Sequence, residues 1–203
     1  MKLLRIKKLP LVVAALLALL FSGCATRPSC PTGSEVAVML VKVPKQKQPQ
    51  RVVIAFREDA APQTVANFKE LASRHYYDGI WFHRLFPHSL VQTGDPKSRY
   101  CERERSGTGG PGYTLPEEIR LPHIKGAVAA SRLPDTINPL RRSNGSQFYI
   151  CLEPMPQLNG QYTVFGQVVE GIEVLDAIST VPVNSNNFPL EKVMIVSLKI
   201  EPQ

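Results

Sequence analysis

The chain has 203 residues, 43% hydrophobic and 20% charged, which gives it room for one good core and argues against disorder. Its formal charge of +7 includes Lys2, Arg5, Lys7 and Lys8, which sit in a segment expected to be removed; without them 20 basic residues face 17 acidic ones, about +3. That balance does not supply the concentrated basic face that nucleic acids require.

Residues 1–23 have a basic start, an apolar run from Leu9 to Leu20 and small residues ahead of Cys24, the layout of a secretory signal peptide. The run is shorter than the roughly 20 residues a spanning helix needs. The ending Leu20-Phe21-Ser22-Gly23-Cys24 resembles a bacterial lipobox, with Phe21 where a small residue is more usual, in which Cys24 receives lipid and becomes the mature N-terminus; simple cleavage or an uncleaved anchor is the alternative. That resemblance implies a bacterial cell-envelope protein, lipid-anchored to a membrane and facing the periplasm or the exterior. The absence of an acidic residue at Ala25 favours the outer membrane. Residues 24–34, rich in Thr, Pro, Ser and Gly, read as a tether, and a single domain is expected over 35–203. Three further cysteines remain in an oxidising compartment. Cys151 follows an apolar strand and reads as a buried thiol packing as a small hydrophobe. Sequence does not fix the separation of Cys30 and Cys101, so their pairing stays open.

Val36 to Val43 is an almost continuous apolar run, and Val52, Ile54 and Phe56 alternate on one face, so two successive strands are expected, joined by a solvated connection over 44–50. Pro62 suits a first helical turn, and Val65, Phe68, Leu71 and Ala72 recur at helical spacing up to Tyr76-Tyr77-Asp78-Gly79. An apolar strand then delivers Arg84, Pro87 turns the chain, and a second short strand delivers Gln92 before Thr93-Gly94-Asp95. Gly107 to Gly112 lacks the Gly-Lys-Ser or Gly-Lys-Thr ending of a phosphate loop and reads as a turn. Leu133 to Ser143 is a long stretch in which Asn138-Pro139-Leu140-Arg141-Arg142 reads as a solvated rim loop, with contact to acidic clients as the alternative. Asn144 to Ile150 adds a second amide, Gln147, and two aromatic rings; Ser146 lacks the elbow and the partner base of a hydrolase nucleophile. Tyr162 to Val169 is a strand, Ile172, Val174, Leu175 and Ile178 mark a short helix, and Met194, Val196, Leu198 and Ile200 mark a half-buried closing strand. Many strands with two helices and no βαβ rhythm fit an antiparallel barrel capped at its ends. His75, His88 and His123 have no metal-ligand spacing, so no metal is expected.

The blocks Phe82-His83-Arg84-Leu85-Phe86-Pro87, Gln92-Thr93-Gly94-Asp95 and Gly145-Ser146-Gln147-Phe148-Tyr149-Ile150 stand in order. Gly107-Thr108-Gly109-Gly110 lies between them and Thr163-Val164-Phe165-Gly166 follows. Together they resemble the cyclophilins, peptidyl-prolyl cis/trans isomerases, and the resemblance runs from the first strands to about Ile200. It implies a mainly β fold, a closed eight-stranded antiparallel barrel capped by two α-helices. It implies Arg84 as catalyst, Gln92 and Gln147 as orienting amides, and a proline pocket of Ser89, Leu90, Tyr149, Leu158 and Tyr162. Ser131 and Arg132 fall where the substrate backbone is received, and His83 falls at a position turned away from the groove, a satisfied buried histidine. No cofactor is implied. The expected partners are X-Pro-containing polypeptides, unfolded or newly exported, met by a monomer. This chain departs from the pattern at Ser89, where many members carry phenylalanine, at Tyr162, where they carry histidine, and at Gln157, where cyclosporin-binding members carry tryptophan. The alternative is a non-catalytic proline-peptide-binding module or chaperone of the same fold. Ser89 favours it, while the retained Arg84, Gln92 and Gln147 favour the enzyme.

Overall fold

The structure is a computed structural model that describes residues 34–100 and 106–203. The expected signal peptide, the lipidated Cys24, the tether up to residue 33, Cys30 and Cys101 lie outside the described residues. Strands β1 (Glu35–Lys42) and β2 (Gln50–Phe56) pair antiparallel, with Met39 opposite Val52 and Val38 opposite Val53. Ala37, Met39, Val41, Val52, Ile54 and Phe56 face the main core, while Val36, Val38, Val53 and Ala55 form a small cluster of their own. Apolar packing on both faces is why the first strand reads as a continuous run rather than an alternation.

Helix α1 (Pro62–Ser73) turns Val65, Phe68, Leu71 and Ala72 inward. Phe68 is the hub of the core: its ring centroid lies 5.8 Å from Phe56, 5.0 Å from Tyr77, 5.4 Å from Phe148 and 5.2 Å from Phe165. The helix start has no side-chain cap of its own, because Ala61 has no oxygen to offer. The buried carboxylate of Glu118 takes that place, accepting from the Gln63 and Thr64 amides at 3.1 and 2.9 Å and from the Thr64 hydroxyl at 2.8 Å. Orphaned first-turn N–H groups and the positive end of the helix dipole both favour an anion there. Glu118→Ala strands these donors, and we expect a loss of about 1–3 kcal/mol in denaturant unfolding, part of it recovered by Glu118→Gln. An unchanged midpoint would show that water caps the helix equally well.

The remaining elements are β3 (Arg84–Phe86), β4 (Leu90–Thr93), β5 (Ala127–Ala130), β6 (Phe148–Cys151), β7 (Val164–Glu170), α2 (Ile172–Ser179) and β8 (Met194–Pro202). They form one antiparallel sheet in the order β3-β4-β6-β5-β7-β2-β1-β8. Helix α1 packs on β7 and β8, and α2 on β2, β3 and β4. The closed barrel expected from the sequence is corrected: the sheet is an open, strongly curled half-barrel with β3 and β8 as its edges. β3 is only three residues long, and the chain leading into it meets β8 through one isolated bridge, Trp81 with Met194. Irregular segments stitch the rest of the seam, with Gly79 N–H donating to Ile195 O, Phe82 N–H to Val193 O and Leu85 N–H to Asn187 O. Cys151 is a buried free thiol, pushed up to about 12 by burial, as its place after an apolar strand predicts.

Candidate active site

Because successive strand residues point to opposite faces, the sheet sorts the first motif into core and site. Leu85, Val91, Ile150 and Val128 face the main core. Arg84 stands opposite Gln92, Gln92 opposite Tyr149, and Tyr149 opposite Ala129, so these four share the outer face. The exposed Arg84 lies with its guanidinium carbon 5.8 Å from the centre of the Phe86 ring. Beside it is a groove of about 710 Å³ whose lining includes Arg84, Gln92, Gln147, Ser131, Arg132 and Tyr162.

The amides of the groove are held in a chain. Gln92 Nε2 donates to Gln147 Oε1 at 3.0 Å and to Ser131 Oγ at 3.1 Å, and Gln147 Nε2 donates to Gly109 O at 2.8 Å. Asn144 Oδ1 accepts from the Gln147 amide at 3.0 Å, and Asn144 Nδ2 donates to Gly109 O at 2.8 Å. The buried Asp95 fastens the glycine turn: its carboxylate accepts from Lys97 N–H at 2.8 Å, from Gly107 N–H, and from Gly109 N–H at 3.2 Å. Two glycines make this approach possible. A Cβ at Gly109 would lie 2.1 Å from Asp95 Oδ1, and one at Gly94 would lie 2.2 Å from Ser146 O. The turn therefore stands beside the groove as expected, with Gly107 and Thr108 in its wall.

Next to the amides, Leu90, Tyr149, Leu158 and Tyr162 converge in one apolar cluster with Ala127, Ala129, Cys151, Met155 and Val164. A 3₁₀ turn over Pro156–Leu158 brings Leu158 there. Tyr149 and Tyr162 meet edge to face at 5.6 Å, the favoured geometry for two rings. His123 lies parallel to Tyr149 at 5.9 Å, and the Tyr149 hydroxyl is 2.9 Å from His123 Nε2. Burial pushes Tyr149 up and His123 down, so both stay neutral at ordinary pH. Arg132 lies over the Tyr162 ring at 4.7 Å, its Nε donating to Gln161 O at 2.8 Å. Ser89 supplies no apolar wall: it is half-buried in the β3–β4 turn, where its carbonyl accepts from Leu152 N–H at 2.7 Å.

His83 requires a correction. Expected to be satisfied and turned from the groove, it is only 4% exposed yet lines the groove, and among the described residues neither ring nitrogen makes a hydrogen bond of good geometry, although the Gln147 side chain and the Trp81 backbone lie close enough to favour its charged form. The nearby Asp95, the obvious acceptor, is engaged by the amides of Lys97, Gly107 and Gly109. Burial drives the imidazole down to about 4, against the opposing pull of Asp95. Sequence reasoning missed His123, Asn144 and the groove wall at residues 185–187. Asn144 adjoins the second motif and was findable there; His123 carries no local signal, because its partner Tyr149 is 26 residues away.

The family model described as cyclophilin type peptidyl-prolyl cis-trans isomerase/CLD matches residues 40–200. The peptidyl-prolyl cis-trans isomerase-like 1 of Emericella nidulans is 37% identical over 142 residues, 69% of this chain and 82% of that protein. The peptidyl-prolyl cis-trans isomerase B of Bacillus subtilis is 45% identical over 116 residues, 57% of this chain and 73% of that protein. Among solved structures, the cyclophilin type peptidyl-prolyl cis-trans isomerase of Cryptosporidium parvum, determined in the presence of the dipeptide Ala-Pro, superimposes with a TM-score of 0.68 at 25% identity, covering 83% of this chain and 99% of that one. With the match spanning most of the described domain and both curated relatives above 30% identity, the chain belongs to the cyclophilin-type peptidyl-prolyl cis-trans isomerases.

Proposed function

We propose that this isomerase binds a proline ring against Leu90, Tyr149, Leu158 and Tyr162 and lowers the rotation barrier with Arg84. The observation that carries the reading is the shared outer face, on which one permanent cation stands directly across the ladder from a clamped amide, beside an aromatic pocket. An X-Pro amide rotates slowly because resonance sets a barrier of about 18–20 kcal/mol. Twisting breaks the resonance, and the pyramidal proline nitrogen regains a lone pair that an Arg84 N–H can bond. The planar ground state offers no such lone pair, so the interaction favours the transition state. Gln92 and Gln147 orient the substrate backbone, and Ser131 and Arg132 border it. The clients are unfolded or newly exported polypeptides, met in a bacterial envelope by a chain anchored through lipid on Cys24; the lipobox-like run Leu20 to Cys24 supports that placement.

The full-length chain, expressed in a bacterium fed labelled palmitate, incorporates label into the envelope fraction, and Cys24→Ser abolishes it. Wild-type chain without label removes the anchor. The same preparation accelerates isomerisation of a short X-Pro peptide. A folded chain that binds proline peptides without accelerating them replaces the enzyme with a receptor, the reading that the missing ring at Ser89 favours.

A further inference from the structure

The loop of residues 133–143 bears on which substrates the groove takes. Its arginines are tied to neighbouring segments. Arg141 donates to Gly160 O and to Asp135, both at 3.0 Å, and Arg142 donates to Thr114 Oγ1 at 2.7 Å and to Thr114 O at 2.8 Å. Asn138 ties the Arg142 backbone from both sides at 2.8 and 3.1 Å, and the mouth of the loop closes with Asn144 N–H donating to Ser131 O at 2.8 Å. Arg132 completes the set through Asp135 and Gln161.

The arginines and Asn138 thus staple the loop, while Leu133, Ile137 and Leu140 stand exposed beside Asp135 and Thr136. Leu133 is 56% exposed, Ile137 69% and Leu140 71%. Three of the seven exposed large hydrophobics among the described residues lie in this one loop, a local concentration of exposed apolar side chains beside the groove. It is continuous with the groove, because Leu133 and Pro134 also belong to the groove wall.

We propose that Leu133, Ile137 and Leu140 form an apolar landing surface for hydrophobic side chains of an extended, unfolded polypeptide whose proline occupies the pocket. The surface makes the enzyme selective for long unfolded clients over short peptides. This inference rests on the isomerase reading of the groove.

The test compares full-length wild type with Ile137→Ser/Leu140→Ser, a pair outside the groove wall, on two substrates: a proline tetrapeptide, and a reduced, unfolded protein whose refolding is limited by proline isomerisation. For the tetrapeptide, kcat/KM stays within about twofold. For the unfolded protein, KM rises roughly tenfold with kcat retained, the scale of losing contact with one or two buried apolar side chains. Equal efficiency of both chains on the unfolded protein overturns the proposal, as does an equal loss on both substrates. So does a wild-type dimer that the double substitution dissociates, since a second copy would then be the occupant. If wild type fails on the tetrapeptide, the isomerase reading itself has failed; weaker binding of the unfolded protein by the variant then still upholds the surface, and unchanged binding overturns it.

Discussion

Arg84→Ala lowers kcat/KM for a short X-Pro peptide by roughly 100- to 1,000-fold, the size of effect seen when one preorganised charge-stabilising donor is removed. The loss corresponds to about 3–4 kcal/mol of transition-state stabilisation. It falls mainly on kcat, because the planar ground-state amide presents no lone pair to the guanidinium and therefore loses little when Arg84 is gone. Stability should barely change: Arg84 is exposed at the end of a three-residue edge strand, and the residues carrying the core beside it are Leu85 and Val91. Arg84→Lys retains the charge but not the planar fork, so it recovers only part of the rate. Peptide isomerisation kinetics on matched folded samples decide the matter. Equal kcat in wild type and Arg84→Ala would move the source of catalysis to Gln92, Gln147 and the aromatic pocket.

The parts legible in the sequence are those whose physics is local. Val52, Ile54 and Phe56 alternate because a strand alternates, and Val65, Phe68 and Leu71 recur because a helix repeats, so β2 and α1 fall where their patterns end. The convergence of Arg84, Gln92 and Gln147 was legible for a different reason, the ordered motif blocks. Closure of the sheet was not legible, since it depends on whether a three-residue strand can ladder with β8, and periodicity carries no information about that seam. Glu118 capping α1 and His123 backing Tyr149 are side-chain meetings across 54 and 26 residues. Nothing in a local window marks them. The rim loop is solvated, as its composition implies, but the ties that hold Arg141 to Gly160 O and Arg142 to Thr114 are contacts between distant stretches that no local window marks.

His83 makes the folded domain acid-sensitive. The imidazole is held down to about 4 in the folded chain against an ordinary value of 6.5, and burial is the main cause. Below pH 6.5 the unfolded chain takes up a proton that the folded chain refuses, so stability is fully present above that pH and declines as pH falls toward 4. Integrated over the interval, the linkage costs about 3 kcal/mol. His123, also held low by burial, adds in the same direction. Denaturant unfolding at a series of pH values between 7 and 4 reads the decline directly, and His83→Gln, which keeps a polar side chain without the titration, should flatten it in that window. The difference between the two curves reports the histidine together with its coupling to the neighbouring Asp95. Parallel curves would mean that His83 charges in the folded state, with Asp95 outweighing burial. The same samples separate stability from chemistry: the Tyr149 phenol stays protonated and His83 stays neutral until the pH nears 4, so above about pH 5 the isomerisation rate of the molecules still folded should remain flat while their number falls.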